Sequence, residues 1–141
     1  MTGGDPLPDW PPGTVAILTT AGDAPHAIPV STAVRAGPRR VLLALARRRT
    51  SLARLREDPR CALTVLAAGD VAFTAHGRAA IVQDPMDVAE SVVAVAIDVD
   101  DVQSHVDPRF AIDAGVGWRW VDDKAAVRDA AIHEALRRLA G

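Results

Sequence analysis

The chain has 141 residues, 49% of them hydrophobic and 24% charged, with a net charge of −2. That is the length of one domain and the composition of a folded one, which argues against disorder and against a basic, nonspecific nucleic-acid binder. A single cysteine, Cys61, leaves no disulfide framework and no cysteine-based zinc site. The longest apolar runs, Val41–Ala46 and Val92–Ile97, are too short to cross a bilayer. The first dozen residues lack the basic and apolar regions of a signal peptide, so the chain reads as cytoplasmic, with no membrane partner.

Residues 1–13 are rich in Gly, Pro and Asp and read as a flexible arm ahead of one domain over 14–141. Thr14–Thr20 is short and β-branched, a first strand. A Gly-Asp-Ala-Pro turn leads into His26–Arg35, where Ile28, Val30, Thr32 and Val34 share one face with period two, a second strand. Arg40–Ala46 is apolar on both faces and reads as a central third strand. Thr50 or Ser51 then caps a short helix carrying Leu52 and Leu55, which Pro59 ends. Cys61–Leu66 is the fourth strand. Val71–Gln83 is the fifth, too long to stay flat, with a bend or bulge at Gly77. Asp84-Pro85 caps a helical turn through about Ala89 or Glu90. Val92–Val106 is the sixth strand, and Trp118–Val121 reads as a short extra one. Asp122 and Asp123 open a C-terminal helix with Ile132, Ala135, Leu136 and Leu139 along one stripe. Six antiparallel strands with a helix after the third predict a mainly β chain, a small barrel.

Three places invite a ligand. Arg47, Arg48 and Arg49 run directly into the helix start at Thr50 and Ser51. Guanidinium groups, hydroxyls and the free N–H groups of a helix start together suit a phosphate ester; the alternative is a solvated rim with an ordinary cap. Pro29 interrupts a good strand, so Ile28, Pro29, Val30 and Ser31 read as an edge whose backbone could meet a planar heterocycle, or simply as an edge-strand proline. Trp118 and Trp120 flank Arg119; they could stack on a ring or fill a core or subunit interface. The histidines His26, His76, His105 and His133 show no metal-ligand spacing, so no metal is expected. Ser31 lacks the context of a hydrolase nucleophile. Cys61 reads as a small buried apolar residue. The acidic run Asp98, Asp100, Asp101 reads as a solvated strand face. No catalytic side chain is identified.

The order of TVAILTTAGDAPHAIPV, RVLLALARRRTSLARLREDPRCALTV and VAFTAHGRAAIVQDP resembles the FMN-binding split-barrel proteins related to pyridoxamine 5′-phosphate oxidase, over roughly Thr14–Pro85. The resemblance implies a six-stranded antiparallel split β-barrel of Greek-key type. It implies a homodimer with cofactor sites at the subunit interface and flavin hydride or electron transfer to a small molecule. The phosphate of FMN would lie at Arg47–Ser51. The ring edge would meet the backbone of Ile28–Ser31, and Trp118 or Trp120 from the other subunit would cover it. One departure stands out: where many members carry a lysine, this chain has Ser51, so Arg48 or Arg49 would substitute. Two alternatives share the fold. One is a reductase using the deazaflavin coenzyme F-420, whose acidic tail the arginines also suit. The other is a non-catalytic flavin- or haem-binding protein.

Overall fold

A computed structural model describes residues 5–141. The strands are β1 (Ala16–Thr20), β2 (His26–Val30), β3 (Val34–Arg35), β4 (Arg40–Ala46), β5 (Arg60–Ala67), β6 (Val71–Gln83) and β7 (Val92–Ser104). The helices are α1 (Thr50–Glu57), between β4 and β5, and α2 (Asp123–Ala140), at the end. All strands lie in one antiparallel sheet of order β2-β1-β5-β6-β7-β4-β3. Seven strands form where six were expected, because the predicted second strand breaks at Ser31–Ala33 into β2 and β3.

That break explains why the sheet curls. β2 and β3 stand at its two opposite edges, yet only three residues join them. Such a link spans at most about 14 Å, so the edges must come together. Thr32 completes the join: its hydroxyl accepts from the Ala44 amide at 3.0 Å and donates to the Ala44 carbonyl at 3.1 Å. One side chain thus extends the β3–β4 ladder where the backbone cannot.

Alternation sorts the side chains into two cores. Val41, Leu43 and Leu45 of β4 face the barrel interior, with Val93, Val95, Ile97 and Val99 of β7. Leu42 of β4 and Ala94 and Ala96 of β7 face outward, where Ile132, Ala135 and Leu136 of α2 cover them, as the predicted stripe requires. Small alanines on the outer face of β7 let the helix approach closely. β4 is therefore apolar on both faces because a helix covers one of them, and it sits next to the sheet edge rather than at the centre. Asp122 caps α2, its carboxylate accepting from the amides of Lys124 and Ala125.

Gly77 marks a register shift between β6 and β7. A Cβ there would stand 2.2 Å from the Asp98 carbonyl oxygen, so glycine is demanded by the close approach of two backbones.

Two expectations are corrected, and the segment assigned to the arm is anchored at two points: Leu7 is buried, its amide donates to Pro38 O, and Trp10 donates to Ala33 O while packing on Phe73. Met1–Gly4, also assigned to the arm, lie outside the described residues. Asp84–Glu90 is not helical. Buried Met86 anchors a tight turn in which its amide bonds to Val92 O, consuming the groups a helix would need. Trp118–Val121 forms no strand: it joins no ladder of the sheet, although it lies against the β2 edge.

Candidate functional site

α1 carries Leu52 and Leu55 into the barrel core on one face and turns Arg54 back to Thr20 Oγ1 at 2.9 Å and to the Ala24 carbonyl. This clamp fixes the β1–β2 turn beneath the helix. The helix begins at Thr50, and the capping residue Arg49 makes no side-chain cap bond; the Leu52 amide donates to Arg49 O at 3.1 Å, which leaves the amides ahead of it as the helix-start donors.

The arginine run divides. Arg47 forms an ion pair with Asp84 at 3.4 Å, and Arg56 bonds the same carboxylate at 2.9 Å. One carboxylate thus serves two guanidiniums. Arg48 and Arg49 are exposed and have no ion pair among the described residues. Thr50 is exposed. Ser51 departs from the expectation: it is fully buried, and its hydroxyl pairs with His26 Nε2 at 3.1 Å. It is the second residue of α1 and faces β2 rather than solvent. The exposed set is therefore Arg48, Arg49 and Thr50, with Arg47 partly neutralised.

β2 is an edge strand, paired only with β1. Ile28 and Val30 point into the core, while Ala27 and Pro29 face out. Only the backbone of Ile28 and Val30 could meet a ligand. Pro29 is tolerated because an edge strand leaves alternate amides outside the ladder. Pro29, Val30 and Ser31 line a hollow of about 320 Å³ with Val15, Trp118, Arg119 and Trp120. The structure thus brings together the β2 edge and Trp118 within a single chain. Trp118 donates to Gly13 O at 2.8 Å and meets Trp120 edge-on, with ring centroids 5.4 Å apart. The helix mouth and this hollow lie toward opposite ends of β2. The His26–Ser51 bond ties the first end of β2 to α1, and Ser31 follows its last residue.

A second hollow, about 480 Å³, lies over the outer face of β1 and β5, lined by Val15, Ile17, Thr64, Leu66 and Val116 among others. It shares Val15 with the first. Ile17, Leu66, Val116, Trp118 and Trp120 are each at least 40% exposed. The segment carrying the last three has no regular structure. It is held by Ile112 N to Asp70 Oδ1 and by the Trp118 bond.

Among the described residues no group of His, Cys, Asp and Glu is placed to hold a metal, and no helix is long and apolar enough to cross a membrane. Burial pushes the Cys61 thiol up to about 12, helped by the nearby Asp100 charge. It is therefore no thiolate at neutral pH. Sequence reasoning missed Asp84 as the partner of Arg47, His26 as that of Ser51, and Arg128 of α2 beside Ser91. No local signal carries these. For the Arg47 side, the β4–β7 register pairs Ala46 with Val92 and so brings Arg47 to Ser91; the His26–Ser51 pair instead rests on α1 packing against β2.

No family model matches the chain, and no curated protein matches it in sequence. Solved structures do match in shape. A provisional pyridoxamine 5′-phosphate oxidase from Listeria innocua aligns with a TM-score of 0.54 and 15% identity, covering 64% of this chain and 86% of that one. An FAD-binding protein from Mesorhizobium loti gives 0.52 and 14%, covering 63% and 83%. A protein named F-420 reductase gives 0.56 and 11%, covering 64% and 90%. At these identities the likeness is one of fold. The curled antiparallel sheet with its helix after β4 is the split-barrel fold of the pyridoxamine 5′-phosphate oxidase-like proteins.

Proposed function

We propose that this chain binds a flavin-type cofactor, FMN in the first instance, between the mouth of α1 and the outer edge of β2, and that it acts as an oxidoreductase on a small molecule. The observation that carries the reading is the His26–Ser51 bond. It joins the start of β2 to the start of α1. An anion-binding helix mouth and an edge strand for a planar ring thereby become one continuous surface. Arg48, Arg49 and Thr50 would hold the phosphate, with the amides that open the helix ahead of Leu52. Backbone groups from Ile28 to Ser31 would bond the ring edge, and Trp118 would lie against it. When bound, the flavin supplies the hydride or electron transfer, and the protein supplies position and electrostatics.

The same reading includes a homodimer. The two hollows around Val15, with their exposed Ile17, Leu66, Val116, Trp118 and Trp120, form an apolar surface suited to a second copy. The F-420 reductase of matching fold supports a second reading, in which a deazaflavin occupies the same surface.

The test is titration of cofactor-free protein with FMN and with the deazaflavin, followed by fluorescence. Saturable quenching at one site per chain is expected. Arg48→Ala with Arg49→Ala should weaken binding at least about tenfold, since a charge-assisted phosphate bond contributes about 1.5–3 kcal/mol. Failure of both ligands to bind, or an unchanged affinity in the double variant, overturns the assignment. A monomer at micromolar concentration in sedimentation overturns the dimer.

A further inference from the structure

A separate cleft of about 710 Å³ opens where the β4–α1 connection meets the start of β7 and α2. Its walls are Ala46, Arg47, Arg48, Glu90, Ser91, Val92 and Arg128. Three arginines from two distant parts of the chain therefore line one opening. Backbone pairing builds one wall: Arg47 N donates to Ser91 O at 2.9 Å. A side chain ties on the other, since the Arg128 guanidinium donates to the Ser91 hydroxyl and so is held at the rim. The local charge is positive. Arg47 and Arg56 share the single carboxylate of Asp84, Arg48 has no ion pair among the described residues, and Glu90 is the one acid in the lining.

We propose that this cleft binds a small molecule bearing two adjacent anionic groups, a diphosphate in the first instance. One phosphoryl group is fully met by one or two guanidiniums. Three arginines in one lining, one of them supplied by α2, match the charge of two. The cleft volume is that of a small-molecule site. The site shares Arg48 with the proposed cofactor phosphate site but depends on Arg128, which that reading does not use. Glu90, the one acid in the lining, opposes any anion bound there and lowers its affinity.

The experiment is calorimetric titration of the full chain with inorganic pyrophosphate and, separately, with orthophosphate. Pyrophosphate should bind at one site per chain, at least about tenfold tighter than orthophosphate, and more weakly as salt is raised. Arg128→Ala, an exposed substitution, should weaken pyrophosphate binding about tenfold while leaving FMN affinity unchanged. Glu90→Gln should tighten it several-fold. Equal affinity for the two anions, or no loss in Arg128→Ala, overturns the proposal. The FMN titration on the same samples separates the two ideas. Pyrophosphate binding that needs Arg128 in a protein that ignores FMN sinks the cofactor reading alone. FMN binding with no pyrophosphate site sinks this one alone.

Discussion

The two hydrophobic cores of this molecule are built differently. The barrel interior draws buried side chains from strands all round the sheet, from α1 and from Leu7 near the start of the chain. The outer core has three buried side chains from one helix resting on Leu42, Met86, Val92, Ala94 and Ala96. In the first, each residue is held by neighbours far away in sequence. In the second, the contact can be lost by lifting a single element. The barrel should thus set global stability, and α2 should behave as a layer with its own, lower, opening free energy.

The sharpest way to break this contrast is Gly77→Ala. The new Cβ would meet the backbone of Asp98 rather than a yielding side chain, so β6 and β7 must separate locally. A loss of several kcal/mol is expected, on the scale of severe single substitutions, visible as a large fall in the denaturation midpoint. A change under about 1 kcal/mol would mean that the register shift relaxes freely. Next comes a matched pair, Leu43→Ala in the barrel and Leu136→Ala under α2, both fully buried. Each removes the same atoms and should cost about 2–5 kcal/mol by cavity formation. Leu43→Ala should lower protection from hydrogen exchange across the sheet, and Leu136→Ala mainly in α2. Identical exchange patterns would merge the two cores into one.

The smallest effect concerns Asp58. Its carboxyl is lowered to about 2, chiefly by the side-chain bond from Arg60 and also by that residue's amide. A depressed carboxylate contributes stability that is present above its unfolded value near pH 4 and is lost as pH falls toward 2. Asp58→Asn should flatten that acid limb slightly. The pair is exposed and screened, so the change should be small and vanish in high salt. A large effect at neutral pH would show that the pair braces the β5 start.

Much of this architecture is legible in sequence because its signals are local. Arg40–Ala46 and Val71–Gln83 form strands with the predicted limits, and the stripe Ile132–Ala135–Leu136 faces the sheet. The bend at Gly77 is legible too, although the chain does not announce which carbonyl the glycine must admit. What escapes is everything decided across the fold. Ser31–Ala33 keeps the alternation of a strand, yet the sheet must close there. Ser51 has the signature of a cap, yet it is buried against His26. The run Arg47–Arg49 reads as one basic unit, and only the sheet register splits it into a paired and an unpaired part. Leu7 and Trp10 lie in Pro- and Gly-rich surroundings that hide the anchoring role of two single side chains.

The three-residue link between β2 and β3 has one more consequence. An open sheet of seven strands would present two unprotected edges to other molecules, each a template for aggregation. Here both edges are held within reach of the same short link. One is a five-residue strand interrupted by Pro29, and the other is only two residues long. The protein thus leaves a growing fibril almost nothing flat to add to, while the backbone of β2 stays accessible to a small planar guest.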